Sequence, residues 1–239
     1  MKISIVIPAH NEEKFIGKLF DSIKKMDIPP GVNLEVIVVL NRCTDKTEIM
    51  AKKFGAITIV NDTKNLSSIR NAGVKAATGE WMITIDADSW MSQNTLVEIY
   101  NEIETGNMVG GGITLKPERS SLGIAIGYAM FLLPAFLLRL SFGLYWFKKD
   151  YFNKINGFDE KKLIAEDVDF LRRLKGFGRT IGKRYKKITK AHVTTSCRKF
   201  DQFGDWHFVR TFSNPCAVIR AAKGNNDQFL DKNWYEVKR

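Results

Sequence analysis

Strand-like and helix-like patterns alternate through the first half of this 239-residue chain, and the alternation limits the fold more than any other feature. Runs of aliphatic and β-branched residues lie at 3–7, 34–40, 57–60 and 81–85. Apolar residues at helical spacing fill the intervals, at 15–26, 45–54 and 66–77. Repeated strand–helix–strand units build a parallel sheet that helices cover on both faces. We therefore predict an α/β fold with a mostly parallel sheet flanked by helices.

The second half continues less regularly. Its patterns predict helices at 93–104, 149–155, 166–174 and about 203–222, and strands at 108–115 and 189–195. Gly55 and Gly79 follow two predicted helices, and we expect them to serve as C-terminal caps. An α/β chain of this length can form one continuous domain.

Polar clusters follow three of the predicted strands, at 8–11, 41–44 and 86–88. Ligands of parallel sheets bind at the carboxyl ends of the strands, so three clusters at one edge indicate a site. Asp86 and Asp88 lie two residues apart and would point the same way from an extended chain. Such oxygen ligands suit a divalent cation that carries a phosphate. Alone, the pair would equally fit a solvated turn or a helix cap.

Five motifs in this order resemble the family 2 glycosyltransferases with the GT-A fold. They are IVIPAHNEE (5–13), VVLNRCTDKT (38–47), IRNAG (69–73), DAD (86–88), and GFDE (157–160) followed by EDVDF (166–170). The resemblance covers about residues 1–199 and implies a GT-A-type sheet. It implies that residues 1–115 form a nucleotide-sugar-binding half and 116–239 an acceptor-binding half of one domain.

The resemblance also implies a reaction and the residues that serve it. The chain would move a sugar from a UDP- or GDP-linked donor to an acceptor, with Mg²⁺ or Mn²⁺ neutralising the departing diphosphate. Asp88 would bind the metal with Asp86 beside it. The remaining donor-binding residues would be Pro8, Ala9, Glu12, Asn41 and Arg70, the last along the nucleotide or its diphosphate. Relatives usually carry an Asp at or beside Leu40 and Asn41, so the base of the donor stays open.

Asp167 is the predicted general base, since a carboxylate can take the proton of the attacking hydroxyl. One base and one displacement imply inversion at the anomeric carbon. A purely structural role is the alternative, because acidic residues favour a helix N-terminus. His192 is the second predicted metal ligand, at a position where many relatives place one; an ordinary surface histidine is the alternative.

Charge and apolarity are unevenly distributed. The net charge is +11, and eleven basic residues but no acidic one lie between Phe170 and Phe200. Such a run indicates an anionic partner, namely phosphate, a membrane surface or nucleic acid. The apolar segment 120–147 cannot cross a membrane without separating Asp88 from Asp167. We favour a helix at the membrane interface, with a core helix or a homodimer interface as alternatives.

The sequence also bears on the cellular location of the protein and on two alternative functions. Three distant cysteines without a C-x-x-C pair, and a start without a signal-peptide pattern, predict a cytoplasmic protein, bound peripherally at the inner face of the membrane. A nucleotidyltransferase usually needs a glycine-rich phosphate loop near the first strand, and residues 8–13 contain no glycine. A non-catalytic module that binds nucleic acid or membrane would not need Asp86, Asp88 and Asp167, which argues against nucleic acid as a partner.

Overall fold

The computed structural model describes residues 1–138, 141, 143–162 and 165–213. Its strands are β1 Lys2–Ala9, β2 Asn33–Leu40, β3 Ile57–Val60, β4 Trp81–Ile85, β5 Ser89–Met91, β6 Met108–Pro117, β7 Leu144–Lys148 and β8 Arg184–Thr195. Its helices are α1 Ile16–Lys24, α2 Thr47–Phe54, α3 Leu66–Ala76, α4 Thr95–Glu104, α5 Leu122–Leu138, α6 Lys149–Lys154, α7 Glu166–Thr180, α8 Arg198–Phe203 and α9 His207–Phe212.

The strands of the described residues form one sheet in the order β3-β2-β1-β4-β7-β6-β8-β5. Strands β1 to β4 pair in parallel, as the alternation of strands and helices predicts. Strand β7 is antiparallel to both β4 and β6, whereas β8 runs parallel to β6 and antiparallel to β5. The predicted α/β fold with a mostly parallel sheet is therefore confirmed.

Apolar side chains of β1 alternate between two cores because the sheet is covered on both faces. Ile5 packs in one cluster with α1 residues such as Leu19, and Val6 packs in the other with α3 residues such as Val74. Gly73 lets α3 approach closely, since an added Cβ would lie 2.3 Å from Cγ1 of Val6. This close packing fixes where α3 places Arg70.

One of the two predicted glycine caps is confirmed. Gly55 ends α2 with a left-handed φ of 91°. Helix α3 instead ends at the cap residue Ala77, so the cap predicted at Gly79 is wrong. A Cβ at Gly79 would lie 2.8 Å from the backbone nitrogen of Ser4, so this glycine permits close backbone contact.

The apolar segment 120–147 does not form one element. Helix α5 covers 122–138, and Leu144–Lys148 is a central strand in which Trp146 and Phe147 are fully buried. The apolar residues that end the segment therefore belong to the core, and β7 and the short β5 were not predicted. None of the described helices is both long and apolar enough to span a bilayer. The helix predicted at 203–222 is broken: α8 ends at Phe203, α9 ends at Phe212, and residues 214–222 lie outside the described ones.

Candidate active site

The polar clusters meet at the carboxyl ends of the parallel strands. Glu12 follows β1, and Asp86 and Asp88 follow β4. Helix α7 adds Glu166 and Asp167 in its first turn, where acidic groups favour the helix dipole. Ala165 precedes them with a left-handed φ of 56°, uncommon for a residue other than glycine. Strained backbone of this kind often accompanies functional sites.

Arg70 lies at the centre of an acidic cluster. Its side chain is only 5% exposed, Nη1 lies 2.9 Å from Oε1 of Glu166, and Nη2 lies 3.0 Å from Oδ1 of Asp86. Burial opposes its charge, but these two carboxylates raise the pKa of Arg70 above its usual value. Both terminal nitrogens are thus engaged by protein carboxylates. Arg70 orients Asp86 and Glu166 here, which differs from the predicted place along the nucleotide or its diphosphate.

The charges in this cluster do not balance. Burial, followed by repulsion from Asp167, raises the pKa of Glu166 to about 7, even though the Arg70 guanidinium opposes the shift. The ion pair alone would lower this pKa. Burial has the largest effect, and the repulsion from Asp167 and Asp86 adds to it, because three carboxylates surround one guanidinium. The site therefore favours an added proton or a further cation.

Tyr145 holds the predicted base. Its buried hydroxyl donates a hydrogen bond of 2.7 Å to Oδ2 of Asp167, whose Oδ1 accepts from the backbone nitrogen of Val168 at 2.7 Å. Burial and then the charge of Asp167 raise the pKa of Tyr145 well above its usual value, so the hydroxyl stays a donor. Tyr145 is on β7, the strand that sequence patterns did not reveal, and it lies opposite Thr84 of β4.

Arg198 joins the second pair of carboxylates. Its Nη1 lies 2.7 Å from Oε2 of Glu12, and its Nη2 lies 3.0 Å from Oδ2 of Asp88. The same oxygen of Asp88 accepts a hydrogen bond of 3.0 Å from Ser196. Within the sequence, Arg198 belongs to the basic run from which we predict an anionic partner. That pattern gives no signal that this guanidinium reaches back to the end of β1.

His192 lies away from Asp88. The backbone of His192 pairs with Ser92, whereas the carbonyl of Asp88 accepts from the nitrogen of Ser196 at 2.9 Å. Four residues of strand separate the two positions, about 13 Å at the usual rise. That His192 and Asp88 bind one metal ion together stays a prediction, and a shared ion would have to span this separation. The alternative of an ordinary histidine on a strand agrees with this placement.

The donor set fits a cation that arrives with a phosphate. Mg²⁺ is commonly held by one or two carboxylates together with substrate oxygens. Asp86 is 45% exposed and Asp88 lies nearby at the same strand end, so both can supply oxygen ligands. Among the described residues, no group of three or more His, Cys, Asp or Glu side chains could hold a metal ion. A cation at this site could take further ligands from donor phosphate oxygens.

The other predicted donor-binding residues lie at the ends of β1 and β2. Pro8 and Ala9 end β1, and the carbonyl of Ala9 accepts from the nitrogen of Asn41 at 2.8 Å. The Asn41 side chain is buried, and its Nδ2 donates to the carbonyls of Asn61 and Thr63 at 2.6 and 2.8 Å. Asn41 thus fastens the loop after β3 to the end of β2, and its role toward a nucleotide base stays a prediction.

The sequence profile described as "Glycosyl transferase family 2" matches residues 4–198. This chain belongs to glycosyl transferase family 2. Among curated relatives, it is 30% identical over 102 residues to the poly(ribitol-phosphate) β-N-acetylglucosaminyltransferase TarS of Staphylococcus aureus, covering 40% of this chain and 18% of TarS. It is 28% identical over 190 residues to a Methanococcus voltae enzyme named as a dolichyl N-acetyl-α-D-glucosaminyl phosphate 3-β-D-2,3-diacetamido-2,3-dideoxy-β-D-glucuronosyltransferase. That match covers 71% of this chain and 57% of the relative. The chain thus spans only part of the length of these relatives.

Solved structures of the family share the fold. TarS 1–349 of S. aureus in complex with UDP-GlcNAc superposes with a TM-score of 0.65 at 22% identity, covering 82% of this chain and 59% of that one. The mannosyltransferase PcManGT of Pyrobaculum calidifontis, in complex with GDP-Man and Mn²⁺, superposes with a TM-score of 0.64 at 18% identity. The match covers 80% of this chain and 56% of PcManGT. The predicted GT-A-type fold is confirmed by these likenesses.

Proposed function

We propose that this family 2 chain is an inverting glycosyltransferase that moves a sugar from a nucleotide-diphosphate sugar to an acceptor hydroxyl. The observation that carries the proposal is the placement of Asp167 beside the Arg70–Asp86–Glu166 cluster, at the sheet edge where Asp88 also lies. Proton acceptor and cation ligands are thus brought to the same edge, as a single displacement requires.

In the proposed reaction, Asp167 takes the acceptor proton while the acceptor oxygen bonds to the anomeric carbon. The bond from that carbon to the diphosphate breaks on the opposite side, so the configuration inverts and a nucleoside diphosphate leaves. Tyr145 keeps the Asp167 carboxylate oriented by its hydrogen bond. Asp88, with Asp86 beside it, would hold Mg²⁺ or Mn²⁺, which when bound offsets the charge of the leaving diphosphate.

The proposed division of labour gives residues 1–115 to the donor and 116–239 to the acceptor. Pro8, Ala9 and Glu12 would line the nucleotide pocket. The donor is UDP- or GDP-linked, since the structural relatives were solved with UDP-GlcNAc and GDP-Man. The names of the relatives include poly(ribitol-phosphate) and a dolichyl phosphate, so a polymeric or lipid-linked acceptor that bears phosphate is proposed here.

Replacing Asp167 tests the proposal. We expect Asp167→Asn to retain its affinity for the donor and to lose about 10²–10⁴-fold in transfer rate, because only deprotonation of the acceptor is removed. Asp169→Asn is the matched control. Asp169 lies on the same helix but pairs with Lys162 and Arg173, so its loss should leave most of the transfer intact. Near-normal turnover of Asp167→Asn, or a product of retained configuration, would remove the proposed mechanism.

Peripheral attachment to an anionic membrane belongs to the same proposal. Helix α5 exposes Leu122, Ile126 and Met130 at four-residue spacing, and β8 exposes Arg184, Lys186 and Lys187. A purely structural role is the alternative, because lysines on an exposed strand discourage pairing with the sheet edge of another molecule. Each basic residue near an anionic surface contributes about 1 kcal/mol, less at high salt.

Vesicle sedimentation across a salt series tests this attachment. A variant with Lys183, Arg184, Lys186 and Lys187 neutralised should partition less than wild type into anionic vesicles. Its matched control neutralises four exposed lysines of the donor half, namely Lys24, Lys25, Lys52 and Lys53. Equal loss in both variants would reject a specific basic face. If the protein does not bind vesicles and sediments as a dimer, the exposed face of α5 belongs to a homodimer interface instead.

A further inference from the structure

Arg198 bridges two carboxylates that the proposed function assigns to the donor and its cation. The guanidinium spans Glu12 and Asp88 at 2.7 and 3.0 Å, and all three side chains are at most 15% exposed. Its Cζ lies 5.3 Å from the centre of the Phe15 ring, which covers one face of the group. Helix α8, which begins at Arg198, thus places a positive charge beside the ends of β1 and β4.

This bridge opposes the binding of a bare divalent cation. Oδ2 of Asp88 already accepts from Arg198 and Ser196, so a metal ion there must compete for the same oxygen. A divalent cation bound to Asp88 would also lie a few ångströms from a guanidinium, where like charges repel strongly in a partly buried site. Arg198 in this position therefore weakens the binding of a cation to Asp88.

A nucleoside diphosphate changes that balance. It brings several negative charges, and the planar fork of arginine matches phosphate oxygens in a bidentate way. Arg70 cannot take this role in its present position, because both of its terminal nitrogens bind carboxylates. Arg198 reaches the same strand ends. When the donor binds, its diphosphate can replace Asp88 as the anionic partner of Arg198.

We propose that Arg198 is a counter-ion that exchanges partners: it holds Asp88 while the site is empty and moves to the donor diphosphate as the cation takes its place on Asp88. This inference rests on the proposed function for the identity of the donor. The exchange makes cation binding and donor binding mutually dependent. A bound donor draws Arg198 away from Asp88 and so favours the cation, and a bound cation releases Arg198 and so favours the donor. A fixed structural tie between β1 and α8 would produce no such dependence.

The test measures Mn²⁺ binding to the full chain by electron paramagnetic resonance, without nucleotide and then with UDP or GDP. We expect Arg198→Gln to bind Mn²⁺ alone about tenfold more tightly, and to bind the nucleoside diphosphate with Mn²⁺ about tenfold more weakly, within the usual range of coupling between sites. In wild type, nucleotide should tighten Mn²⁺ binding, and in the variant this tightening should largely vanish.

Two further variants keep the result interpretable. Arg119→Gln is the matched control, because Arg119 also bridges two carboxylates, Asp201 and Asp205, neither of which is a predicted cation ligand; its Mn²⁺ affinity should equal that of wild type. Arg198→Lys retains the charge and should keep Mn²⁺ binding weak even if Arg198→Gln fails to fold. Unchanged or weaker Mn²⁺ binding in folded Arg198→Gln, or tighter binding in Arg198→Lys than in wild type, overturns the inference. If wild type binds neither UDP nor GDP, the proposed function fails, while the Mn²⁺ comparison still decides whether Arg198 guards Asp88.

Discussion

Replacing Glu166 by Gln should change how the stability of the fold depends on pH. Burial and the neighbouring Asp167 raise the pKa of Glu166 from 4.5 to about 7 in the folded chain. Between these values the unfolded chain has lost the proton that the folded chain keeps. The free energy of unfolding therefore falls as the pH rises through this window. Gln mimics the protonated acid and does not titrate, so the variant should lack this fall.

The expected size follows from the burial of the group. Each tenfold change in proton affinity corresponds to about 1.4 kcal/mol, so the whole window contributes about 3 kcal/mol. The side chain is only 13% exposed, so solvent screening reduces this figure little. Relative to wild type, Glu166→Gln should therefore gain about 3 kcal/mol of stability at pH 8 compared with pH 5.

Urea unfolding followed by tryptophan fluorescence, at several pH values from 5 to 8, measures this difference. Glu35→Gln is the control of the same type. Although burial opposes its charge, hydrogen bonds from Lys2, Ser4 and Thr78 lower the pKa of Glu35 to about 2. The contribution of ionised Glu35 to the free energy of unfolding is present above pH 4.5 and is lost only as the pH falls toward 2. The loss of stability in Glu35→Gln should therefore be constant from pH 5 to 8. A constant difference for Glu166→Gln over the same range would refute the reasoning about the cluster.

Two other substitutions test single contacts. Tyr145→Phe should lower kcat about tenfold and leave the KM for the donor unchanged, because Asp167 loses the hydrogen bond that orients it; an unchanged kcat would make Tyr145 a packing residue. Gly73→Ala should cost about 1–3 kcal/mol, since its Cβ would meet Val6 at 2.3 Å. Gly176→Ala, in α7 with no atom within 4 Å of the added Cβ, should instead gain about 0.5–1 kcal/mol, and equal effects of the two in urea unfolding would contradict the packing argument.

The elements that sequence patterns predicted well are those with a clear period. Strands β1 to β4 and helices α1 to α3 bury regular faces, and the observed bounds differ by at most a few residues. Strand β7 was missed because its residues continue the apolar run of α5, and periodicity cannot divide a uniformly apolar segment. Strand β5 has three residues, too few for any period.

The site was predictable only where its chemistry lies in a short motif along the chain, at a strand end or a helix start. Asp86, Asp88 and Asp167 stand out by motif, whereas Tyr145 and Arg198 reach the site through pairings that local sequence does not encode. His192 shows what spacing along the chain leaves open, because such spacing cannot give the register between β5 and β8. That register, and the burial that engages Arg70, come from tertiary packing alone.

The contact between Glu12 and Arg198 spans 186 residues, so it also sets an order of events during synthesis. At about 5–20 residues per second, the ribosome completes β4 roughly 5 to 25 s before it adds Arg198. Strands β1 to β4, whose pairings are comparatively local, can associate within that interval. The nascent sheet edge then carries Glu12 and Asp88 without their guanidinium. A growing chain should accordingly bind Mn²⁺ more readily than the finished one.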